Sequence, residues 1–153
     1  MKTDEILPGH HLDTLIAIKV IGYREMTDEE WEIVKTAWWQ DGRLYEGMPR
    51  PLILEVPMEG RAQVRFRIVQ PQPYSTEIRS TWEIVHRVKF QGSYDTSLYL
   101  NYIGSDRRWH AVFRGSNQLS TGSIAETAPL AICRAALKAM QGEGQYSDRN
   151  YFI

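Results

Sequence analysis

The residues with the clearest chemical potential are arginines on one short alternating segment. Arg61, Arg65 and Arg67 alternate with apolar residues, which predicts a β-strand with one basic and one apolar face. The apolar positions, which we expect to face the core, are Ala62, Val64, Phe66 and Ile68. A guanidinium group donates paired hydrogen bonds to phosphate or carboxylate oxygens. The strand is therefore our first candidate for binding a phosphorylated ligand, although basic residues also protect exposed strands from pairing.

A second basic segment lies further along the chain and carries aromatic residues beside it. Arg108 and Arg114 lie near Trp109 in the sequence, and they are our second candidates for phosphate contacts. Tyr74, Trp82 or Trp109 could stack on a base, an interaction worth roughly 1–3 kcal/mol per base. The alternative is structural, because large aromatic residues such as Trp82 and Trp109 commonly pack in a core.

Residues that could act in catalysis or hold a metal do not form a recognisable set. The single cysteine, Cys133, lies on the apolar stripe of a predicted helix, where a buried and inert thiol is expected. The histidines lack the spacing of a zinc site, and no nucleotide-binding glycine motif is present. We therefore expect no catalytic residue, no metal, no cofactor and no enzymatic activity.

The overall composition is that of an ordinary globular protein. The chain has 153 residues and a formal net charge of −1, which argues against a general nucleic-acid-binding protein. One cysteine excludes an intramolecular disulfide. Because neither a signal peptide nor a membrane-spanning stretch is evident, we expect a cytoplasmic protein in a bacterial host cell.

Four helices are predicted from apolar spacing and from their start signals. The first covers residues 10–21 and the second begins at the capping-box pattern of Thr27 and Glu30. The third follows Pro73, with Ser75 or Thr76 as its cap. Its predicted stripe is Ile78, Trp82, Val85 and Lys89. The fourth starts at Thr127 and carries the stripe Leu130, Cys133, Leu137 and Met140.

Two strand pairs are predicted between these helices. Residues 52–56 and 62–68 read as a hairpin, and residues 96–103 and 107–114 are joined by too few residues for a parallel crossover. Residues 115–123 are expected to form a polar loop. The fold class is therefore α+β, with a mainly antiparallel sheet.

Several motifs resemble those of one phage family, the phage ABA sandwich domain. They are Leu12-Asp13-Thr14-Leu15, Tyr74-Ser75-Thr76-Glu77-Ile78 with Trp82, Trp109-Ala111-Phe113, and the run from Ala125 to Leu137. The resemblance covers about residues 10–22 and 73–140. It implies a helix/sheet/helix sandwich in a single domain, residues 1–140, with an inserted helix and β-hairpin at about 27–70. Residues 141–153 are then a polar C-terminal tail.

The resemblance implies a phage-encoded protein but no particular reaction. We expect a non-enzymatic protein that sequesters a phosphorylated, nucleotide-derived small molecule, such as a host immune signal. The alternative is an adaptor or inhibitor that binds a host or virion protein through Trp31, Trp38 and Trp39. We also expect a homo-oligomer, because these tryptophans cannot all lie on one narrow helical stripe and Tyr151-Phe152-Ile153 adds an apolar anchor.

Overall fold

The computed structural model describes residues 2–60, 64–90, 92–142 and 145–146 of the chain. The helices are α1 (His10–Ile16, extended by the π-helical turn Ala17–Ile21), α2 (Asp28–Gln40), α3 (Ile78–Arg87) and α4 (Ala128–Met140). The strands are β1 (Arg24–Glu25), β2 (Leu52–Pro57), β3 (Val64–Val69), β4 (Thr96–Ile103), β5 (Arg108–Gly115), β6 (Leu119–Ala125) and β7 (Gln145–Tyr146). None of the described helices has the length and apolar character needed to cross a membrane.

The chain divides into two compact units. Unit 2 is Gly22–Pro71, and unit 1 comprises the described residues on either side of it. Each unit holds one antiparallel sheet, in the order β1-β2-β3 in unit 2 and β4-β5-β6-β7 in unit 1. The mixed α+β class, the hairpin of β2 with β3 and the antiparallel pair of β4 with β5 are therefore confirmed.

Helix α4 forms the centre of unit 1. It contacts β5 and β6 of the sheet and also packs against α1 and α3, so almost all of its residues are buried. The Thr127 hydroxyl accepts a hydrogen bond from the Leu130 amide at 3.4 Å, which confirms the predicted N-cap. Of the predicted stripe, Leu130, Cys133 and Leu137 are buried, whereas Met140 is exposed at the helix end.

Strand β6 occupies most of the segment expected to be a polar loop, so that expectation is wrong. Its residues Thr121, Ser123 and Ala125 pair with Phe113, Ala111 and Trp109 of β5. The three β6 residues are buried on the face of the sheet that they share with Phe113. The small hydroxyl side chains leave room for α4 to pack against this face. Because Thr121 and Ser123 are polar, β6 lacks the alternation of apolar residues from which a strand is predicted.

Helix α3 buries a different face from the one predicted. Thr81, Ile84 and Val88 are buried, whereas Ile78 is exposed and Trp82 is 49% exposed. The predicted cap is also wrong, because Glu77 precedes the helix without a side-chain hydrogen bond to it. Ser75 is engaged instead with α1: its amide donates to Asp13 Oδ1 at 2.7 Å, and its hydroxyl accepts from the Gly9 amide at 2.9 Å.

Unit 2 has a small apolar core. Its buried apolar side chains among the described residues are Met26, Leu52 and Ile53, together with Pro51. Phe66 and Ile68 of β3 are 56% and 43% exposed, so the expectation that they face the core is wrong. Their partners across the hairpin are Glu55 and Ile53, and the Arg24 guanidinium, paired with Glu55, lies over the Phe66 ring on this face.

Candidate functional site

The basic strand of unit 2 presents two arginines on one face. Arg65 and Arg67 are exposed and lie opposite Val56 and Leu54, so all four side chains are on the same side of the hairpin. Neither arginine makes an ion pair with a carboxylate among the described residues. Arg61, the third predicted contact, lies outside the described residues. The geometry leaves Arg65 and Arg67 open to an anion.

The opposite face of the same hairpin is organised around Arg24, which the sequence analysis did not single out. Its Nη1 and Nη2 atoms donate to both carboxylate oxygens of Glu30 at 2.8 and 3.0 Å, and its Nε donates to Glu55 at 2.9 Å. The guanidinium also lies 5.8 Å from the centre of the Phe66 ring. Since two carboxylates already engage Arg24, it serves to attach α2 to the sheet and does not provide a free anion contact.

Glu30 shows the electrostatic consequence of this network. The hydrogen bonds from Arg24, with further ones from Thr27, lower the pKa of its carboxyl group to about 2. Glu30 also completes the capping box of α2, since it accepts from the Thr27 amide at 2.9 Å. The capping box was predicted from sequence; the partner of its glutamate was not, because Arg24 reaches it only through the fold.

Helix α2 exposes a surface rich in tryptophan. Trp31 and Trp38 are half-buried and meet edge to face, with ring centres 6.3 Å apart. The Lys35 ammonium lies 5.6 Å from the Trp31 ring centre and the Arg43 guanidinium 4.9 Å from that of Trp38. Trp39 is 73% exposed, and no residue of α2 is buried. We call Trp31, Trp38 and Trp39 with their flanking cations the tryptophan surface.

The second basic segment does not form a joint site with its aromatic neighbour. Arg108 and Arg114 lie on one face of β5, whereas Trp109 projects from the other and meets Tyr102 with ring centres 5.1 Å apart. The six residue steps from Arg108 to Arg114 span about 20 Å at roughly 3.4 Å per residue. Arg114 donates to the side chain of Gln118. One small ligand therefore cannot reach both arginines and the Trp109 ring.

The remaining predicted aromatic residues are also placed apart. Tyr74 is fully buried in unit 1, so its ring has no surface on which a base could stack. Trp82 is half-exposed on α3 and lies in unit 1, as Tyr74 does, whereas Arg65 and Arg67 are in unit 2. Among the described residues of either unit, no pair of the predicted arginines lies together with a predicted stacking ring.

Polar groups in the interior of unit 1 hold its N-terminal segment against α4. Arg134 is buried and donates to the Ile6 carbonyl from Nε and Nη2 at 3.2 and 2.8 Å. Asp4 accepts from Lys138 and from Ser123, each at 2.6 Å. Partial burial alone would raise the pKa of Asp4, but these hydrogen bonds and the two cations outweigh it and lower the pKa. These contacts therefore stabilise the packing of the N-terminal segment within unit 1.

Two residues with side chains of catalytic type, Cys133 and His110, have shifted pKa values in unit 1. Cys133 is buried, as its position on the helix predicts, and burial followed by the charge of Asp13 raises the pKa of its thiol well above the usual range. Burial lowers the pKa of His110. Among the described residues, no three or more His, Cys, Asp or Glu side chains lie close enough to share a metal ion.

A cleft of about 650 Å³ opens in unit 1 where α4 ends. Its lining residues are Lys89, Phe90, Ser93, Leu119, Ala139, Met140, Gln141 and Gly142. The floor is mainly apolar and Lys89 contributes the charge. None of the described residues predicted to bind a ligand lines this cleft.

Comparison with known proteins identifies one family. The family model described as the phage ABA sandwich domain matches residues 14–137, a range that contains every residue predicted to contact a ligand. No curated protein and no solved structure gives a significant match. The resemblance drawn from the sequence motifs is thereby confirmed.

Proposed function

We propose a protein-binding role for this chain, which belongs to the phage ABA sandwich domain family and is therefore a phage protein. It acts without enzymatic turnover, as an adaptor or inhibitor of a host or virion protein. The observation that carries this proposal is the tryptophan surface of α2. A small-molecule site normally encloses most of its ligand in a concave pocket, whereas this surface lies along an exposed helix.

The composition of the tryptophan surface supports a protein partner. Tryptophan and arginine are the residue types that contribute most to binding energy at protein interfaces. Trp39 projects into solvent, and Arg43 holds a guanidinium over the Trp38 ring. The matching partner surface is apolar, with a carboxylate placed to meet Arg43. Unit 2 buries few apolar side chains of its own, so covering α2 would also stabilise this unit.

Affinity purification followed by reconstitution tests the proposal. A candidate partner recovered from phage-infected cells is purified and titrated with this protein by calorimetry. Because Trp39 is exposed, Trp39→Ala leaves the fold intact and weakens binding by about 2 kcal/mol or more, the loss that defines a hot spot. Tyr94→Ala, which removes an even more exposed aromatic residue from unit 1, leaves binding unchanged. A purified partner that binds both variants like the parent protein contradicts the proposal.

The sequestration of a phosphorylated, nucleotide-derived ligand is the second candidate function. It is supported by one specific observation: Arg65 and Arg67 are exposed on the same face of β3 and lack carboxylate partners among the described residues. The half-buried side chains of Leu54 and Val56 share that face and could contact a base or sugar. A phage protein of this kind would remove a host immune signal from solution without altering it.

Calorimetry against cyclic di- and trinucleotides and cyclic ADP-ribose isomers tests this second candidate. Arg65→Glu combined with Arg67→Glu should reduce affinity by several kcal/mol, since each hydrogen bond to a charged group contributes about 1.5–3 kcal/mol. The matched control reverses two exposed arginines of α3, Arg79→Glu with Arg87→Glu. Absence of binding across the panel, or equal losses in both double variants, rejects the candidate; recovery of a chemically altered ligand reveals an enzyme.

A further inference from the structure

The four outer strands of the two sheets differ in how they are protected against pairing with another chain. In unit 2, β1 has only two residues and β3 carries Arg65 and Arg67. In unit 1, the described part of β7 also has two residues, but β4 has eight. Short length and charged side chains are the usual means of blocking a sheet edge. The described part of the chain therefore leaves one long edge, that of β4, without such protection.

The sequence and pairing of β4 make this edge suitable for another strand. Its residues, Thr96-Ser97-Leu98-Tyr99-Leu100-Asn101-Tyr102-Ile103, include no charge and no proline. All eight pair continuously with β5, so no bulge turns the edge away. Among the described residues, no strand occupies the other side of β4. Every second residue of β4 therefore directs its backbone N–H and C=O groups outward.

We propose that β4 is a self-association edge, at which β4 of one copy pairs antiparallel with β4 of a second copy. Charge favours this partner and this direction. Antiparallel pairing brings Asp95, which precedes β4, beside the turn of the partner that contains Asp106 and Arg107 and leads to Arg108. Parallel pairing would place Asp95 next to the same carboxylate of the second copy.

The arrangement predicts which residues meet. A two-fold axis perpendicular to the sheet pairs one β4 residue with its own copy and pairs residues at equal distances on either side with each other. It also keeps Leu98 and Leu100, which share a face with Phe113, on the same side of the joined sheet in both copies. The two α4 helices then lie on the same side, and the sheets of both copies form one continuous sheet.

Cysteine scanning along β4 tests this geometry. The native Cys133 is buried, so a single introduced thiol reports on its own position. The scan replaces, one at a time, Ser97, Leu98, Tyr99, Leu100, Asn101 and Tyr102. We expect oxidation to link one position with itself, because only the residue on the axis lies within disulfide distance of its copy. Residues two positions before and after it should link only when their two variants are mixed. Thr76→Cys, exposed and outside the strand, is the control.

Light scattering at tens of micromolar protein provides an independent measurement. The parent protein is expected to be a dimer, and Ser97→Lys with Asn101→Lys a folded monomer, since pairing would bring the added lysines of both copies close together along one seam, where like charges repel. Both residues are exposed, so their replacement leaves the fold intact. Gln72→Lys with Thr76→Lys adds the same charge elsewhere in unit 1 and should leave the dimer unchanged. A monomeric parent protein, a dimer that survives the β4 double variant, or a scan in which no position exceeds the control would overturn the proposal. Because β4 lies outside unit 2, none of these results depends on the partner bound by α2.

Discussion

The central position of α4 makes Leu137→Ala a quantitative test of the fold of unit 1. Leu137 is completely buried, and the substitution removes three carbon atoms from its side chain. At about 0.8 kcal/mol per buried methylene, the lost transfer free energy is roughly 2.4 kcal/mol. The cavity that remains adds to this cost, because closely packed surroundings relax only in part. We expect unit 1 to lose about 3–5 kcal/mol of unfolding free energy, a large fraction of the 5–15 kcal/mol typical of a protein.

Met140, one turn further along the same predicted stripe, supplies the matched control. It is 38% exposed at the end of the helix, so Met140→Ala should cost no more than about 1.5 kcal/mol. Hydrogen exchange measured on peptides from α4 reports the opening free energy of unit 1 without interference from unit 2. A loss below about 1 kcal/mol for Leu137→Ala, or equal losses for both variants, would refute the conclusion that α4 is the core of this unit.

Three further predictions concern the cap of α4, the ion pairs of α2 and the buried thiol. Thr127→Ala should destabilise unit 1 by about 0.5–1 kcal/mol in the same exchange experiment, since its hydroxyl caps the helix through a long hydrogen bond; no change would show that the cap contributes nothing. Glu30 has a folded-state pKa of about 2 against an ordinary value of 4.5, so its contact with Arg24 stabilises α2 above pH 4.5 and is lost as the pH falls towards 2. Circular dichroism during urea unfolding should show this loss in the parent protein and a weaker one in Glu30→Gln, whereas identical acid profiles would exclude the assignment. Cys133 should react with a thiol reagent at mildly alkaline pH only as the protein unfolds, because burial raises its pKa; rapid reaction of the native protein would contradict its position in the core.

Much of the local structure could be predicted because its signals lie within a few residues of one another. The N-cap at Thr127 and the capping box of Thr27 with Glu30 mark two helix starts, and both are present. The alternation along β5 likewise places Ala111 and Phe113 on the buried side of the sheet. These features follow from backbone hydrogen bonding and side-chain periodicity, which act over one or two turns of chain.

The sequence could predict which residue types would bind a ligand, but not which of these residues lie together in the fold. Alternation correctly places Arg65 and Arg67 on one face of a strand, yet it cannot say that Tyr74 is buried or that Trp109 faces away from Arg108. Burial of an aromatic ring depends on which elements pack over it. The fold therefore decides whether the predicted arginines surround a stacking ring. Among the described residues, neither unit contains such an arrangement.

The sequence by itself determined the helix starts, the strand alternation and the membership of a phage family, because each is written in short contiguous patterns. Tertiary structure decided which faces these elements bury. Phe66 alternates like a core residue, but β2 places Glu55 opposite it and Arg24 over its ring, so it remains at the surface. Ser123 reads as part of a polar loop, but pairing with Ala111 and the approach of α4 bury it in a strand. In both cases the deciding contact joins residues more than ten positions apart, and local periodicity carries no information about such contacts.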